Sequence, residues 1–270
     1  MSQSFFKKTF RDYKWSILLY SFIVLLYGIS MIGFFPSLQE SSADFEKLLE
    51  SYPPVIIEAF GVNFDSINTI EGFLSMEYFS FIWVIIISLL IFSLGASIVS
   101  KEIDKGTSEF SFTLPIKRRK IVLSKFIASF FISSIVVLMT LISVIAGAYM
   151  IGEALYLKGF LAFLLIALAL NFFLLSFTTF FSSIFSDKGK VYGICAGFLT
   201  LSYVLHVFVK MNDSISNLYY LSFFKYYGNP ETILRSGSIN IKSILVFLLV
   251  GLIFLVLGLI ISERRDLWYK

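Results

Sequence analysis

The chain has 270 residues, of which 57% are hydrophobic and only 15% charged, against about a quarter charged in an average soluble domain. This excess of apolar residues excludes a soluble globular protein, because a soluble core could not hide it. The formal net charge of +4 averages basic and acidic segments and gives no reason to expect nucleic-acid binding. We therefore predict an all-α integral membrane protein with a single transmembrane domain over residues 1–270.

Six stretches without Asp, Glu, Lys or Arg are long enough to cross a bilayer, which requires about 20 apolar residues in a helix. Lipid offers no partner to a backbone amide, so such stretches span only as helices. The first stretch is too long for the apolar core of a signal peptide and lacks a small-residue cleavage pattern, which indicates a retained anchor. The predicted transmembrane helices are 15–36, 78–100, 126–151, 160–185, 191–209 and 243–262.

The basic residues predict the orientation of these helices. With the N-terminus inside, 16 of the 22 Lys and Arg residues lie in inner segments and 11 of the 18 acids in outer ones. Basic loops remain on the cytoplasmic side of a membrane. Both termini are therefore predicted to be cytoplasmic, the loops 37–77 and 210–242 to lie outside, and the protein to be a multi-pass protein of the cell (plasma) membrane.

The N-terminal segment 4–14 is predicted to form an amphipathic interfacial helix in the headgroup plane. It would act either as a lever that joins the first span to movements at the inner surface, or as a topology anchor. Its apolar side carries Phe6, Phe10 and Tyr13, and its basic side carries Lys7, Lys8, Arg11 and Lys14.

The outer loop 210–242 is rich in aromatic residues, which favour headgroup depth and predict an interfacial or shallow re-entrant helix. Its function would be either a substrate gate or an aromatic belt. The aromatic residues are Tyr219, Tyr220, Phe223, Phe224, Tyr226 and Tyr227.

The inner segment 101–125 is the one connection with the features of a docking element. Gly106 permits a chain reversal, Thr107 can cap a short helix, and Pro115 ends it. Four basic residues at 117–120 would hold the segment against anionic headgroups. A globular partner could therefore grip an aromatic-bearing cytoplasmic coupling helix between the second and third spans.

This segment resembles the corresponding inner loop of the ABC-2 type permeases, the membrane subunits of one class of ATP-binding-cassette exporters. The resemblance rests on Glu102, Gly106, Thr107, Leu114, Pro115, Arg118 and Lys125 in register, and the chain departs from the pattern at Ser111, Phe112 and Thr113. It implies that the coupling helix contacts a separate cytoplasmic ATPase. The contact is predicted on Glu102, Gly106, Thr107, Phe110, Phe112, Leu114 and Pro115; the alternative is a connector packed on its own bundle.

The chain has no phosphate-binding loop of the form Gly-x-x-x-x-Gly-Lys-Ser/Thr, so ATP and Mg²⁺ are predicted to bind the partner subunit. We predict no catalytic residue, cofactor or metal in this chain, and a transporter subunit rather than an enzyme. The sole histidine, His206, is interpreted as a satisfied side chain rather than a proton relay, and the lone Cys195 as a core residue.

Three other functions remain open. An ion-gradient-driven secondary carrier is disfavoured, because the spans contain no carboxylate, but sodium can also bind carbonyls and hydroxyls. An ABC importer scaffold of the energy-coupling-factor type would carry Ala-Arg-Gly signatures, which the chain lacks. A membrane anchor or sensor would bind a partner and move nothing.

Two sets of small or polar residues within the spans are candidates for assembly and transport. Gly193 and Gly197 form a Gly-x-x-x-Gly pair that predicts a seam with a second permease copy or a related permease, or packing within one subunit. A polar belt, defined as Asn171, Thr178, Thr179 and Ser182, would line a substrate path or bond neighbouring helices. The predicted cargo is an amphipathic or hydrophobic peptide, drug or lipid-like molecule.

Overall fold

The computed structural model describes residues 3–40, 68–104, 117–211 and 213–264, and within these ranges no residue belongs to a strand. Five helices there are long and apolar enough to cross a bilayer, and a bent pair of helices is a sixth candidate. The prediction of an all-α protein with apolar spans is confirmed. The five straight candidates are α1 (Gln3–Glu40), α5 (Arg118–Ile151), α6 (Leu157–Ile184), α7 (Lys188–Met211) and α10 (Ile241–Arg264).

The helix α1 is unbroken over 38 residues, which corresponds to a length of about 57 Å. The predicted interfacial helix at 4–14 and the predicted span at 15–36 are therefore parts of one continuous helix, and the place where the membrane begins along it stays a prediction. No glycine or proline occurs before Gly28 to interrupt the backbone hydrogen bonds. The first turns continue the helix and pack on the bundle through Phe5 and Tyr13, which are both buried.

Helices α1 and α5 run side by side in the same direction. A Cβ added at Gly28 would collide with the side chain of Ser143, and one added at Gly147 would lie 2.9 Å from Ile32. Small residues at such positions let helices in a membrane approach closely. This contact holds the first span against the third.

The second span differs from the predicted helix 78–100. It begins at α2 (Ile70–Leu74), continues through a π-helical turn at Ser75–Phe79, and bends by 45° into α3 (Ile82–Ala96). The backbone amide of Ser80 donates to the Ser75 carbonyl, five residues back, which widens the helix before the bend.

A tyrosine from a distant segment supports this bend. The Tyr227 hydroxyl donates to the Phe79 carbonyl at 2.9 Å, a group that the broken helix leaves without a helical partner. Burial raises the pKa of Tyr227 well above its ordinary value, and the nearby Tyr78 hydroxyl adds to this effect. The hydroxyl therefore remains a donor at any physiological pH.

The shorter elements flank the spans. A turn after α3 leads into α4 (Ser100–Asp104), and α6 is the most deeply buried candidate span, packed between α3, α5 and α10. The segment between α7 and α10 consists of a 3₁₀ turn (Asp213–Leu221), α8 (Phe223–Tyr227) and α9 (Pro230–Ser236).

The helices share two common ends. At the basic end, where α1, α5 and α7 begin and α3, α6 and α10 end, Lys101 Nζ donates to the Tyr13 hydroxyl at 3.4 Å. At the opposite end, the Tyr156 amide donates to the Glu71 carboxylate at 3.3 Å. The start of α1 and the end of α10 thus lie at the same end, and the assignment of that end to the cytoplasm stays a prediction.

Candidate functional site

The predicted ATPase contact falls mostly outside the described residues. Glu102 lies in the short helix α4, at the basic end. The structure also describes the two ends of the inner segment, through α4 and the first turns of α5. The other predicted contact residues, which lie outside the described residues, are Gly106, Thr107, Phe110, Phe112, Leu114 and Pro115.

The first attachment joins the start of α4 to the end of α6. The Ser182 hydroxyl accepts hydrogen bonds from the amides of Val99 and Ser100, at 3.2 and 3.0 Å, and lies 3.1 Å from the Ala96 carbonyl, to which it donates. The Ser100 hydroxyl lies 2.8 Å from the Phe185 carbonyl and 3.0 Å from the Ser182 carbonyl. We call this cluster the serine clamp, defined as Ser100 and Ser182.

The serine clamp is buried, since both side chains are 0% exposed. The amides of Val99 and Ser100 begin a helix and have no partner in that helix, so Ser182 supplies the acceptor that they need. Hydrogen bonds of buried groups are costly to leave unmade. The entry to the inner segment is therefore fixed to the central helix of the bundle.

The second attachment is the side chain of Lys125, which the sequence places at the mouth of the third span. Its ammonium group donates to the Ile98 carbonyl at 3.2 Å, and the side chain is only 7% exposed. A buried ammonium group requires such a partner. The two attachments thus meet at neighbouring residues of one turn. Lys125 bonds to Ile98, and Ser182 of the serine clamp bonds to Val99.

The polar belt lies inside the bundle, and all four of its side chains are 0% exposed. Asn171 accepts from the Ser133 hydroxyl at 2.8 Å and donates to that of Ser134 at 3.2 Å. The hydroxyls of Thr178 and Thr179 donate to carbonyls of their own helix. The bonds of Asn171 join α6 to α5, whereas those of Thr178 and Thr179 remain within α6, and the role of the belt as a substrate path stays a prediction.

Gly193 and Gly197 lie on an exposed face of α7. A Cβ added to either would meet nothing within 4 Å, so neither glycine supports packing within the described part of the chain. Gly95 differs, because a Cβ there would lie 2.6 Å from the Thr178 side chain. The close approach of α3 to α6 therefore needs its glycine, whereas the pair on α7 remains available for an external contact.

Comparison with known proteins decides the family. The family described as "ABC-2 family transporter protein" matches residues 5–267, which is nearly the whole chain. The chain belongs to the ABC-2 transporter family. No curated protein matches it. The resemblance inferred from the inner segment is confirmed, and members of this family are membrane subunits without an ATPase site of their own.

Part of the aromatic segment between α7 and α10 packs into the bundle of this ABC-2 protein. Phe223, Phe224 and Tyr227 are buried, while Tyr220 is 61% exposed. The ring of Tyr227 stacks against that of Trp83, with centroids 6.4 Å apart. The segment therefore packs against the bend of the second span, and its interfacial or re-entrant position in the membrane stays a prediction.

His206 and Cys195, which the sequence analysis interprets as structural residues, both have hydrogen-bond partners. His206 Nδ1 forms a hydrogen bond with the Tyr219 hydroxyl at 3.0 Å. The buried Cys195 thiol donates to the Thr178 hydroxyl at 3.6 Å. Both observations agree with structural roles in the ABC-2 protein.

Sequence reasoning missed Ser100 and gave no partner for Ser182. Serines are frequent in these spans, so nothing in the local pattern distinguishes Ser100. The one available signal is its position, at the end of an apolar run and directly before the charged inner segment.

Proposed function

We propose that this chain is the permease subunit of an ABC exporter, driven by a separate cytoplasmic ATPase that binds the inner segment 101–125. The family match over residues 5–267 carries the proposal, because ABC-2 membrane subunits work with an ATPase partner. ATP and Mg²⁺ bind that partner, and this chain supplies the contact. No step of ATP hydrolysis falls on its residues.

The anchors of the inner segment support a mechanical role. Ser100 is bonded to α6, and Lys125 at the start of α5 is bonded to Ile98 at the end of α3. A displacement of the segment therefore acts on α3, α5 and α6 together rather than bending a loose connection. Closure of the ATPase on ATP would in this way move the central helices of the bundle.

The cargo that we propose is amphipathic or hydrophobic: a peptide, a drug or a lipid-like molecule. The polar belt on α6 consists of neutral hydroxyls and one amide, and these groups bond within the bundle. A charged hydrophilic solute would need compensating charges along its way. The aromatic residues at the opposite end suit a cargo with apolar surface.

We propose further that α7 forms a seam with a second permease, identical or related. The exposed face around Gly193 and Gly197 would let another helix approach to backbone contact. On the same side of α7, Leu201 and Phe208 are 59% and 56% exposed. A bulky apolar residue at either glycine would keep the partner helix away.

The seam is tested by Gly193→Leu, which should reduce the fraction of cross-linked dimer in native membranes several-fold while leaving the monomer folded. The matched control is Gly33→Leu, since Gly33 also has open space around it but lies on α1. Equal cross-linking in the two variants would assign Gly193 to a lipid-facing surface instead.

The proposed ATPase contact is tested by Phe112→Asp and Pro115→Asp. Each places a carboxylate in the apolar content of the proposed docking element, so the ATPase that co-purifies with the wild-type chain should be lost by about tenfold or more. Tyr149→Asp is the control, because Tyr149 is 87% exposed near the opposite end of α5. Full retention of the ATPase by both variants would overturn the contact.

A further inference from the structure

A cavity of about 390 Å³ lies at the basic end, between the first turns of α1, the end of α3 and the start of α5. It lies between α1 and the two ends of the inner segment, since Lys101 and Lys125 both line it. The described lining includes neither glycine of the proposed seam.

Three lysines line the cavity, Lys8, Lys101 and Lys125, against one acid, Asp12. Lys125 is held at its place by the Ile98 carbonyl, and Lys101 by the Tyr13 hydroxyl. Like charges at close quarters raise the local potential and favour an anion. The described lining therefore carries two more positive charges than negative ones, which favours a bound anion.

A buried hydroxyl gives a second and independent indication. Ser129 also lines the cavity, its side chain is 1% exposed, and its Oγ has no hydrogen-bond partner in the described part of the chain. Buried polar groups without a partner are rare and costly. A ligand with acceptor oxygens would satisfy this hydroxyl together with the ammonium groups.

We infer that this cavity binds the phosphate group of an anionic phospholipid. Phosphate oxygens accept charge-assisted hydrogen bonds from several ammonium groups at once, which suits three lysines and a hydroxyl. Phe5 and Ile98 in the lining offer apolar contact to a glycerol or acyl portion. The bound lipid would join α1 to both ends of the inner segment.

The surroundings favour a lipid over free phosphate. Trp15, one helical turn beyond the lining residue Asp12, is 72% exposed, and Lys14 Nζ lies 5.6 Å from the centroid of its ring. Tryptophan and lysine side chains of this kind are enriched at the headgroup level of a bilayer. The cavity therefore lies where headgroups are at high local concentration.

The test uses the purified full-length chain in a neutral detergent, with phosphatidylglycerol, phosphatidylcholine or inorganic phosphate added in separate arms. Thermal unfolding reports binding, because a ligand of the folded state raises the midpoint with concentration. Phosphatidylglycerol should raise the midpoint at concentrations where the other two additives do not. The double substitution Lys8→Gln with Lys101→Gln should weaken the apparent affinity by about tenfold or more.

Two further variants make the result specific. Lys7→Gln with Lys14→Gln removes the same total charge, in this case from two positions on α1 that do not line the cavity, and should keep the full shift. Ser129→Ala should leave the lipid-free midpoint unchanged or higher, since its hydroxyl has no partner to lose, and should reduce the shift with phosphatidylglycerol.

Three results would overturn the lipid site. They are no shift with phosphatidylglycerol, an equal shift with inorganic phosphate, or the same loss in both pairs of lysine variants. Loss of ATPase association in the Lys8 and Lys101 variant without any lipid shift would assign the cavity to a protein contact. The site does not depend on the proposed function, because a lipid shift in a chain that binds no ATPase would leave the site standing.

Discussion

Replacing Ser182 with alanine is expected to abolish most ATP-dependent transport and to lower the free energy of unfolding by about 3 to 5 kcal/mol. The substitution leaves the buried amides of Val99 and Ser100 without an acceptor, and each such loss costs about 1 to 3 kcal/mol. The transport defect follows because the entry to the inner segment is then attached to the end of α6 only through the bonds of the Ser100 hydroxyl to backbone carbonyls. Unfolding in detergent and transport in vesicles measure the two effects.

Thr179→Val is the matched control for this prediction. Thr179 is equally buried one turn earlier on the same helix, but its hydroxyl donates only to the Leu175 carbonyl of that helix. We expect a loss below about 1 kcal/mol and near-normal transport. If both variants behaved alike, the serine clamp would have no special role, and a double-mutant cycle of Ser182 with Ser100 would show no coupling.

Replacing Gly159 with alanine should lower the free energy of unfolding by about 2 to 4 kcal/mol. The added Cβ would overlap the backbone of Leu234, at a point where α9 packs against the start of α6. Backbone atoms cannot move aside as the end of a flexible side chain can, so either α9 or α6 must shift. Thermal unfolding of the purified variant measures the loss.

Gly33→Ala is the control for the Gly159 variant, and it should act in the opposite direction. Gly33 lies inside α1 with nothing within 4 Å of an added Cβ. Alanine is favoured over glycine in a helix interior by up to about 1 kcal/mol, so stability should rise or stay unchanged. Equal destabilisation by the two substitutions would contradict the packing that we describe around Leu234.

Charge-free runs were sufficient to predict the spans but not the ends of the helices. The helices α5, α7 and α10 each contain one predicted span, and α6 contains all of its span except the last residue; each helix extends beyond the predicted span by two to eight residues at one or both ends. Hydropathy reports where lipid begins, whereas a helix continues through the headgroups until a cap or a turn ends it. The same reason explains why α1 includes the basic residues at 4–14.

The bend in the second span could not be predicted from local sequence. Glu71 and Glu77 hide the apolar character of the segment before residue 78, and no proline or glycine marks the break at Ser80 and Phe81. The bend depends on a tertiary contact, since the hydroxyl of Tyr227 reaches the Phe79 carbonyl from 148 residues away. Only the fold brings these groups together.

The candidate site, like the spans, could be predicted from the sequence only in part. The inner segment shows a family pattern, and that pattern led to the family that the comparison confirms. Ser182 was recognised as polar within a span, but its partner Ser100 is 82 residues away in the sequence. Its structural role therefore becomes visible only in three dimensions, and the ATPase contact itself stays a prediction.

The most direct test of the account is transport by the purified chain in vesicles, with and without the co-purifying ATPase and ATP. We predict movement of an amphipathic fluorescent peptide or dye only when ATPase, Mg²⁺ and ATP are all present, and none when the chain carries Phe112→Asp. Equal transport by the chain alone along an ion gradient would contradict the account and establish a secondary carrier.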